Sequence, residues 1–204
     1  MAISNGATAG RPGLLLHTCC AWCLLDTLDV FRVEYGRVAV AFFNPNIHPR
    51  REFDKRLKSV RLLCERLGLE LFADEEYGLA PFLSGLYNAG GFDPAADKPG
   101  RCAHCFALRL GRTARRAGEL GFAAFSTTLL ASPHQLQGEL RAAGMKASGE
   151  TGVGFDARDL RGLHGSGRAR LPNRLLFHRQ LYCGCIFSEG EGTGSSDGVQ
   201  TRDL

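Results

Sequence analysis

The sequence predicts an α/β protein with a Rossmann-like parallel sheet that is flanked by helices. Two observations predict this class. Four short, continuous apolar runs occur within the first 130 residues, and stretches with the helical spacing of apolar residues separate or follow them. Strands that alternate with crossover helices form a parallel sheet with helices on both faces. The chain has 204 residues, 44% of them hydrophobic and 23% charged, which is enough for one such core.

The predicted elements follow from apolar runs, helical spacing and turn residues. We expect residues 1–188 to form a single domain and the polar, glycine-rich residues 189–204 to form a disordered tail. Residues 77–89 are predicted as a helix or an irregular connection, and residues 90–100 as a loop. The predicted strands are 14–16, 37–43, 69–72 and 122–128, and the predicted helices are 24–33, 50–67, 102–120 and 135–144.

The cellular location affects how the cysteines are interpreted. No apolar run reaches the roughly 18 residues of a membrane helix, and the first residues lack the features of a signal peptide. We therefore expect a cytoplasmic protein without a membrane partner. In a reducing compartment, grouped thiols indicate metal binding or catalysis rather than structural disulfides.

Seven of the eight cysteines occur in three groups. Only Cys64 stands alone, in an apolar helical stretch, and we interpret it as a small buried core residue. The groups are Cys19, Cys20 and Cys23, then Cys102 and Cys105, then Cys183 and Cys185.

The first two groups are predicted to meet at one edge of the sheet. Sites in parallel sheets lie at the carboxyl ends of the strands, which places Cys19, Cys20 and Cys23 beside the loops 44–48 and 127–134. Cys102 and Cys105 are predicted at a helix N-terminus, where backbone N–H groups stabilise thiolates. Four converging thiolates hold either zinc or a [4Fe–4S] cluster. Spacing leaves this choice open, although the adjacent cysteines weaken the zinc interpretation.

The third group differs because one residue separates its cysteines. A disulfide between Cys183 and Cys185 would close a tight, strained ring, and strained disulfides are the redox-active ones. We favour a dithiol that delivers electrons, and the alternative is two more metal ligands or incidental thiols. His134 follows the fourth predicted strand at a predicted helix start, where it could donate a proton.

The net charge of +4 is too small to indicate nucleic-acid binding by itself. Its distribution is more informative, because residues 101–116 hold five arginines without an acidic residue and residues 158–179 hold six arginines against one aspartate. Such blocks suit a phosphate backbone, and a solvated helix face is the alternative.

Several motifs together resemble one known family, the epoxyqueuosine reductases of the QueH type. They extend over nearly the whole chain before the predicted tail, and the combination is specific. The motifs are HTCCAWC at residues 17–23, FNPNIHP at 43–49, RCAHC at 101–105, FSTTLLASPHQ at 125–135 and RQLYCGCIFS at 179–188.

The resemblance implies a function, a fold and cofactors. The implied reaction is the two-electron reduction of the epoxide of epoxyqueuosine in tRNA to queuosine, the last step of queuosine biosynthesis. The implied fold is a Rossmann-like sheet of the HUP type with a helical insertion that carries the metal site. The implied cofactor is a [4Fe–4S] cluster on residues that match Cys19, Cys20, Cys102 and Cys105, with a redox-active disulfide at Cys183 and Cys185.

Further roles follow as hypotheses from the implied reaction. Cys23 would then be free to hold an additional iron ion, with Asp26 one helical turn further on. An external reductant of unknown identity would reset the disulfide. The anticodon loop of the tRNA would meet arginines and aromatic residues; the candidates are Arg109, Arg112, Arg158, Arg161, Tyr182 and Phe187.

Two other functions are compatible with parts of the sequence. A zinc-stabilised RNA-binding module without redox activity would use the paired cysteines and the arginines, but it leaves Cys183 and Cys185 unused. An ATP-using thiolation enzyme would share the sheet, but cysteines stand where its glycine-rich phosphate loop would be.

Overall fold

A computed structural model of the chain describes residues 10–169 and 177–191. Its sheet has five strands, all parallel, in the order β3-β2-β1-β4-β5. The strands are β1 (Gly13–His17), β2 (Arg37–Phe42), β3 (Leu71–Ala73), β4 (Ala124–Thr127) and β5 (Gly154–Phe155). This order confirms the predicted Rossmann-like parallel sheet.

The central strands are apolar without alternation because both of their faces are covered. Leu14, Leu15 and Leu16 of β1 are each fully buried, and Leu15 lies between Ala39 of β2 and Phe125 of β4. Such continuous apolar runs are typical of parallel sheets with helices on both faces. The sheet is therefore the rigid support of the loops at its edge.

Six α-helices flank or follow the strands in the part of the chain that the structure describes. Contacts join α1 to α2 and α4 to α5, so that four of the helices form two packed pairs. Within the described residues, no helix is both long and apolar enough to cross a membrane. The helices are α1 (Ala21–Glu34), α2 (Arg50–Leu67), α3 (Leu79–Asn88), α4 (Lys98–Glu119), α5 (Gln137–Thr151) and α6 (Ile186–Glu191).

The connection between β3 and β4 contains one helix more than a crossover needs. Its second helix, α4, packs on β1 and β4, whereas α3 precedes it and contacts it from outside. Phe82 and Leu86 of α3 form a small apolar cluster with Cys105 of α4. This extra helix corresponds to the expected helical insertion, and it covers one of the predicted ligands.

The sheet order changes direction between β1 and β4. The chain leaves β1 toward β2 on one side, and it enters β4 on the other side. A crevice forms at such a switch point, outside the carboxyl ends of the strands. The loops after β1, β2 and β4 lie at this edge, and a 3₁₀ turn, Thr128–Ala131, follows β4 directly.

Some predicted boundaries were wrong. Helix α4 begins at Lys98 rather than at residue 102, because the Asp97 carboxylate caps it by accepting a hydrogen bond from the Gly100 N–H at 3.0 Å. The two-residue strand β5 was not predicted, and α6 extends to Glu191, three residues into the predicted tail. The rest of that tail, residues 192–204, lies outside the described residues.

Candidate metal and redox site

Three cysteines meet directly after β1. The sulfur atoms of Cys19, Cys20 and Cys23 all lie within 4.8 Å of one another, and we call them the sulfur triad. Cys19 and Cys20 are buried, and Cys23 is half-buried. Among the described residues, this is the one group of three or more cysteine, histidine or carboxylate side chains close enough to hold a metal ion.

The local sequence builds this triad. Cys20 is the N-cap of α1, and its Sγ accepts a hydrogen bond from the Cys23 N–H at 3.2 Å. A side-chain acceptor at this position satisfies one of the free N–H groups of the first helical turn. The cap therefore brings Cys20 and Cys23 to the same end of the helix, where Cys19 joins them.

The three thiols have different proton affinities. Hydrogen bonds from Cys20 and Cys23, together with the charges of Arg109 and Arg56, hold the pKa of Cys19 well below its usual value. Burial raises the pKa of Cys20, and hydrogen bonding to Cys19 raises that of Cys23. Cys19 is thus the thiol of the triad that most readily loses its proton, and a bound cation would displace the protons of all three.

Arg109 of α4 is buried beside the triad without a carboxylate partner in the described part of the chain. Its Nη2 donates to Asn44 Oδ1 at 2.7 Å, and its Nη1 lies 3.8 Å from Cys105 Sγ. A buried charge without a counter-charge costs several kcal/mol. Thiolates are the anions available to it, so this arginine indicates a site that carries negative sulfur.

Cys102 and Cys105 lie on α4, and they are not part of the triad. Burial raises the pKa of each to about 11, and the charge of Cys183 adds to the effect on both. They occupy the second turn of α4 because the helix begins at Lys98. The expected stabilisation by a helix N-terminus is therefore weaker for them than predicted.

The third cysteine group lies on what we call the Cys-Gly-Cys segment, residues 177–188. Cys185 forms a single antiparallel bridge with Ile47, and the His48 N–H donates to the Gly184 carbonyl at 2.8 Å. Cys183 Sγ lies 2.9 Å from Ser188 Oγ. The segment thereby places both thiols next to the loop that follows β2.

Arg56 of α2 anchors this segment from beneath. Its guanidinium is almost fully buried, and it donates to the carbonyl oxygens of Tyr182 at 2.9 Å and Cys183 at 3.2 Å. Its Nε pairs with Glu52 Oε1 at 2.6 Å. The same guanidinium stabilises the Cys19 thiolate, so one buried charge serves both cysteine regions.

Gln180 connects the two regions directly. Its Nε2 lies 2.8 Å from Cys20 Sγ and 3.7 Å from Cys23 Sγ. Gln180 and Arg56 were not predicted as site residues, although Gln180 lies within a quoted motif, whereas Asn44 belongs to the loop 44–48 that was predicted at this edge. Their proximity to the cysteines depends on contacts between residues that are far apart in the chain.

Two other predicted residues do not belong to the sulfur triad. The Asp26 carboxylate is buried, and it accepts hydrogen bonds from the N–H groups of Gly165 at 2.9 Å and Gly167 at 2.7 Å. It therefore holds a loop in this structure. His134 is exposed, with its ring centroid 6.2 Å from that of His164. Its role as a proton donor stays a prediction.

Cys64 and His17 are core residues. Burial raises the pKa of Cys64 to about 12, which agrees with its interpretation as a buried core residue. Burial and the charge of Arg109 lower the pKa of His17 to about 3, so that its ring is neutral. The His17 ring lies 2.8 Å from Thr127 Oγ1, and it joins the ends of β1 and β4.

Most arginines proposed for tRNA phosphates already have partners. The proposal for Arg109 was wrong, because Arg109 is buried beneath the site. Arg112 pairs with Asp74 at 3.2 Å, Arg158 with Glu34 at 2.6 Å and Arg161 with Asp159 at 2.6 Å. Arg112 and Arg158 thus pair with acidic residues from other parts of the fold, whereas the partner of Arg161 is two residues away in the sequence.

Several buried polar atoms near the cysteines have no hydrogen-bond partner among the described residues. Both side-chain polar atoms of Asn46 belong to this set, as do Trp22 Nε1, Arg109 Nε and Gln180 Oε1. Buried polar groups in folded proteins are nearly always paired. They lie on elements around the cysteines, where they would be available to a group bound there. Soft thiol donors fit a thiophilic metal or an iron–sulfur cluster.

Comparison with known proteins points to one family. Residues 14–191 match the profile of the family described as "Epoxyqueuosine reductase QueH". Proteins of that name from other organisms are similar along most of this chain. The one from Dehalococcoides mccartyi is 37% identical over 183 residues, which is 90% of this chain and 96% of its own length.

Two further relatives carry the same name. The Helicobacter pylori protein is 35% identical over 185 residues, which is 86% of this chain and 49% of its own length. The Thermotoga maritima protein is 33% identical over 177 residues, which is 86% of this chain and 89% of its own length. The matched residues include all three cysteine groups, and this chain therefore belongs to the epoxyqueuosine reductase QueH family.

Proposed function

We propose that this chain is an epoxyqueuosine reductase that completes queuosine in the wobble position of tRNA. The family match supports this activity, and the buried sulfur triad at the switch point of the sheet is the structural observation that carries it. In the reaction both C–O bonds of the epoxide break, a C=C bond forms and the oxygen leaves as water. Two electrons and two protons are required. A substrate in tRNA implies that the protein acts in the cytoplasm.

We infer that a [4Fe–4S] cluster is held by Cys19, Cys20, Cys102 and Cys105. When bound, such a cluster supplies electrons one at a time. The buried and otherwise uncompensated Arg109 supports a centre with several thiolates, because it contacts Cys105 and its charge acts on Cys19. Cys23 is the competing ligand, since its sulfur already lies within the triad.

The second part of the proposal concerns an additional iron ion on Cys23 and Asp26. The two residues are one helical turn apart at the start of α1. The Asp26 carboxylate would have to give up at least one of its hydrogen bonds to the Gly165 and Gly167 N–H groups. An Asp26→Asn variant with one iron less per chain and unchanged sulfide would support this ion.

The residues of the chain itself have separate tasks in the reaction. We assign Cys183 and Cys185 as the dithiol that delivers electrons, because oxidation of two thiols to a disulfide releases two electrons and two protons. This matches the requirement of the epoxide, and an external reductant then restores the dithiol. Burial raises the pKa of Cys185 to about 11, which keeps its proton in place until oxidation. His134 is the candidate donor of a proton to the departing oxygen.

One experiment tests the function directly. Protein that is reconstituted anaerobically with iron and sulfide is incubated with epoxyqueuosine-containing tRNA and a strong reductant, and the nucleosides are then separated. We expect queuosine to replace epoxyqueuosine. A fully loaded protein that leaves the epoxide intact would contradict the proposed activity.

The cofactor has its own test. A Cys102→Ala variant should lose the broad visible absorption of the reconstituted protein, while Cys64→Ala, a matched change at a cysteine outside the site, should keep it. Unchanged iron and sulfide contents in Cys102→Ala would contradict the assigned ligand set. Zinc without iron or sulfide in the anaerobically purified protein would favour a zinc-stabilised RNA-binding module instead.

A further inference from the structure

Gln180 is a half-buried carboxamide with an unusual set of neighbours. Its Nε2 lies 2.8 Å from Cys20 Sγ and 3.7 Å from Cys23 Sγ, so two sulfur atoms of the triad share one N–H donor group. Its Oε1 is buried and has no partner in the described part of the chain. The nitrogen end of the amide, rather than the whole group, is therefore fixed by the sulfur atoms.

The backbone on both sides of Gln180 is anchored to α2. On one side, the His178 N–H donates to Ser59 Oγ at 2.9 Å, and the His178 ring lies 2.6 Å from Glu52 Oε2. On the other side, the Tyr182 carbonyl accepts from Arg56 at 2.9 Å. The backbone of Gln180 is thus held between two fixed points, which keep this residue beside the triad.

The neighbouring side chains alternate in direction along this stretch. Arg179 and Leu181 are exposed, whereas Gln180 points to the triad and the Tyr182 hydroxyl donates to the His48 carbonyl. Cys183 follows directly. One short stretch of backbone, which bends at Leu181 and Tyr182, consequently joins the residue that contacts the sulfur triad to the dithiol.

We propose that Gln180 is a positioning residue that holds the Cys-Gly-Cys segment in register with the sulfur triad and donates an N–H···S hydrogen bond to the thiolates of the metal centre. This inference rests on the proposed metal centre. Addition of an electron increases the negative charge on the sulfur ligands, and an N–H donor stabilises that charge. Hydrogen bonds to sulfur are among the factors that set the reduction potential of such centres. Gln180 therefore raises the potential.

The chain offers a matched control in Gln137 of α5. Gln137 is also half-buried, and its Nε2 donates to the Ser132 carbonyl at 2.9 Å, while its Oε1 is likewise buried without a partner among the described residues. Its described hydrogen-bond partners are carbonyl oxygens and not sulfur atoms. A change at Gln137 therefore removes an equivalent amide at a comparable burial.

The test is a redox titration of iron- and sulfide-loaded protein, with Gln180→Leu, Gln180→Glu and Gln137→Leu compared with the unchanged chain. Gln180→Leu should lower the equilibrium constant for reduction about tenfold, which is ~59 mV for one electron. Gln180→Glu should lower it further, because a carboxylate replaces the donor next to the thiolates. Gln137→Leu should leave the potential unchanged.

Iron and sulfide contents and circular dichroism accompany each titration. A Gln180→Leu variant that folds but retains less than half of the iron supports the positioning role, and if that variant does not fold, the isosteric Gln180→Glu decides. Unchanged potentials in both Gln180 variants with full loading overturn this inference alone. If the protein without substitutions takes up no iron, both the proposed metal centre and this inference are wrong.

Discussion

The sulfur triad and the Cys-Gly-Cys segment meet at the same edge of the sheet, but different kinds of contact hold them there. Local structure builds the triad, because β1 ends at His17 and the Cys20 side chain caps the helix that follows. Distant side chains hold the segment, chiefly Arg56, which is more than 120 residues away in sequence. The comparison shows that one half of the site is encoded locally, while the other half depends on the completed fold.

The largest expected effect comes from Arg56→Met. This change leaves Glu52 and two backbone carbonyls without their buried donor, and breaking such a pair costs about 3–5 kcal/mol. We expect a loss of this size in the free energy of unfolding, measured with urea, together with faster proteolysis within residues 177–188. Arg61→Met on the same helix is the control, since the Arg61–Glu75 pair is exposed. Equal stabilities of the two variants would refute the anchoring role of Arg56.

A smaller effect is expected from Gly184→Ala. Gly184 has a φ of 102°, and an added Cβ would lie 2.9 Å from Ile47 Cγ1. The strain should cost about 1–3 kcal/mol in unfolding free energy and should displace the dithiol from the loop after β2. Gly149→Ala in α5 has open space and a helical backbone, so it should stabilise the protein by about 0.5–1 kcal/mol. Stabilisation by both changes would contradict this account of Gly184.

Substitutions of Cys20 distinguish its structural role, as the N-cap of α1, from its proposed role as a metal ligand. Cys20→Ala removes the N-cap of α1 and should cost about 1 kcal/mol, whereas Cys20→Ser keeps a cap acceptor and should remain near the original stability. Both variants should bind less metal. Thermal unfolding and metal analysis measure the two effects separately, and a Cys20→Ala variant with full metal content would exclude Cys20 as a ligand.

The smallest effect is expected in the reactivity of Cys64. This cysteine belongs neither to the sulfur triad nor to the Cys-Gly-Cys segment. Burial raises its pKa to about 12, compared with about 11 for Cys185. Because the thiolate is the reactive form and Cys64 is the more buried of the two, Cys64 should be alkylated more slowly than Cys185 in metal-free protein at pH 8. Mass spectrometry of the labelled peptides measures both rates. Faster labelling of Cys64 would show that its helix opens more readily than the Cys-Gly-Cys segment.

The same contrast explains what could be predicted from the sequence. The parallel sheet was predictable because runs such as Leu14–Leu16 are apolar at every position and are followed by turn residues. The grouping of Cys19, Cys20 and Cys23 was predictable because a strand end and a helix start fix their spacing. The start of α4 was missed because the cap between Asp97 and Gly100 lies in a stretch rich in glycine and proline.

The roles of Arg56, Arg109 and Gln180 could not be predicted, because their contacts leave no periodic pattern. Arg109 contacts Asn44 across 65 residues, and Gln180 contacts Cys20 across 160 residues. An arginine on an amphipathic helix has the same sequence signature whether it faces phosphate, a carboxylate or a buried thiolate. The sequence analysis consequently assigned Arg109 to tRNA, although burial assigns it to the cysteines.

The bridge between Ile47 and Cys185 also has a consequence for the order in which the protein is made. The five strands among the described residues all precede residue 156, so a ribosome delivers them before it delivers Cys183 and Cys185. Chains that emerge from the ribosome fold from the N-terminal side onward. The nascent protein therefore has its sulfur triad at the edge of these strands before Cys183 and Cys185 have left the ribosome.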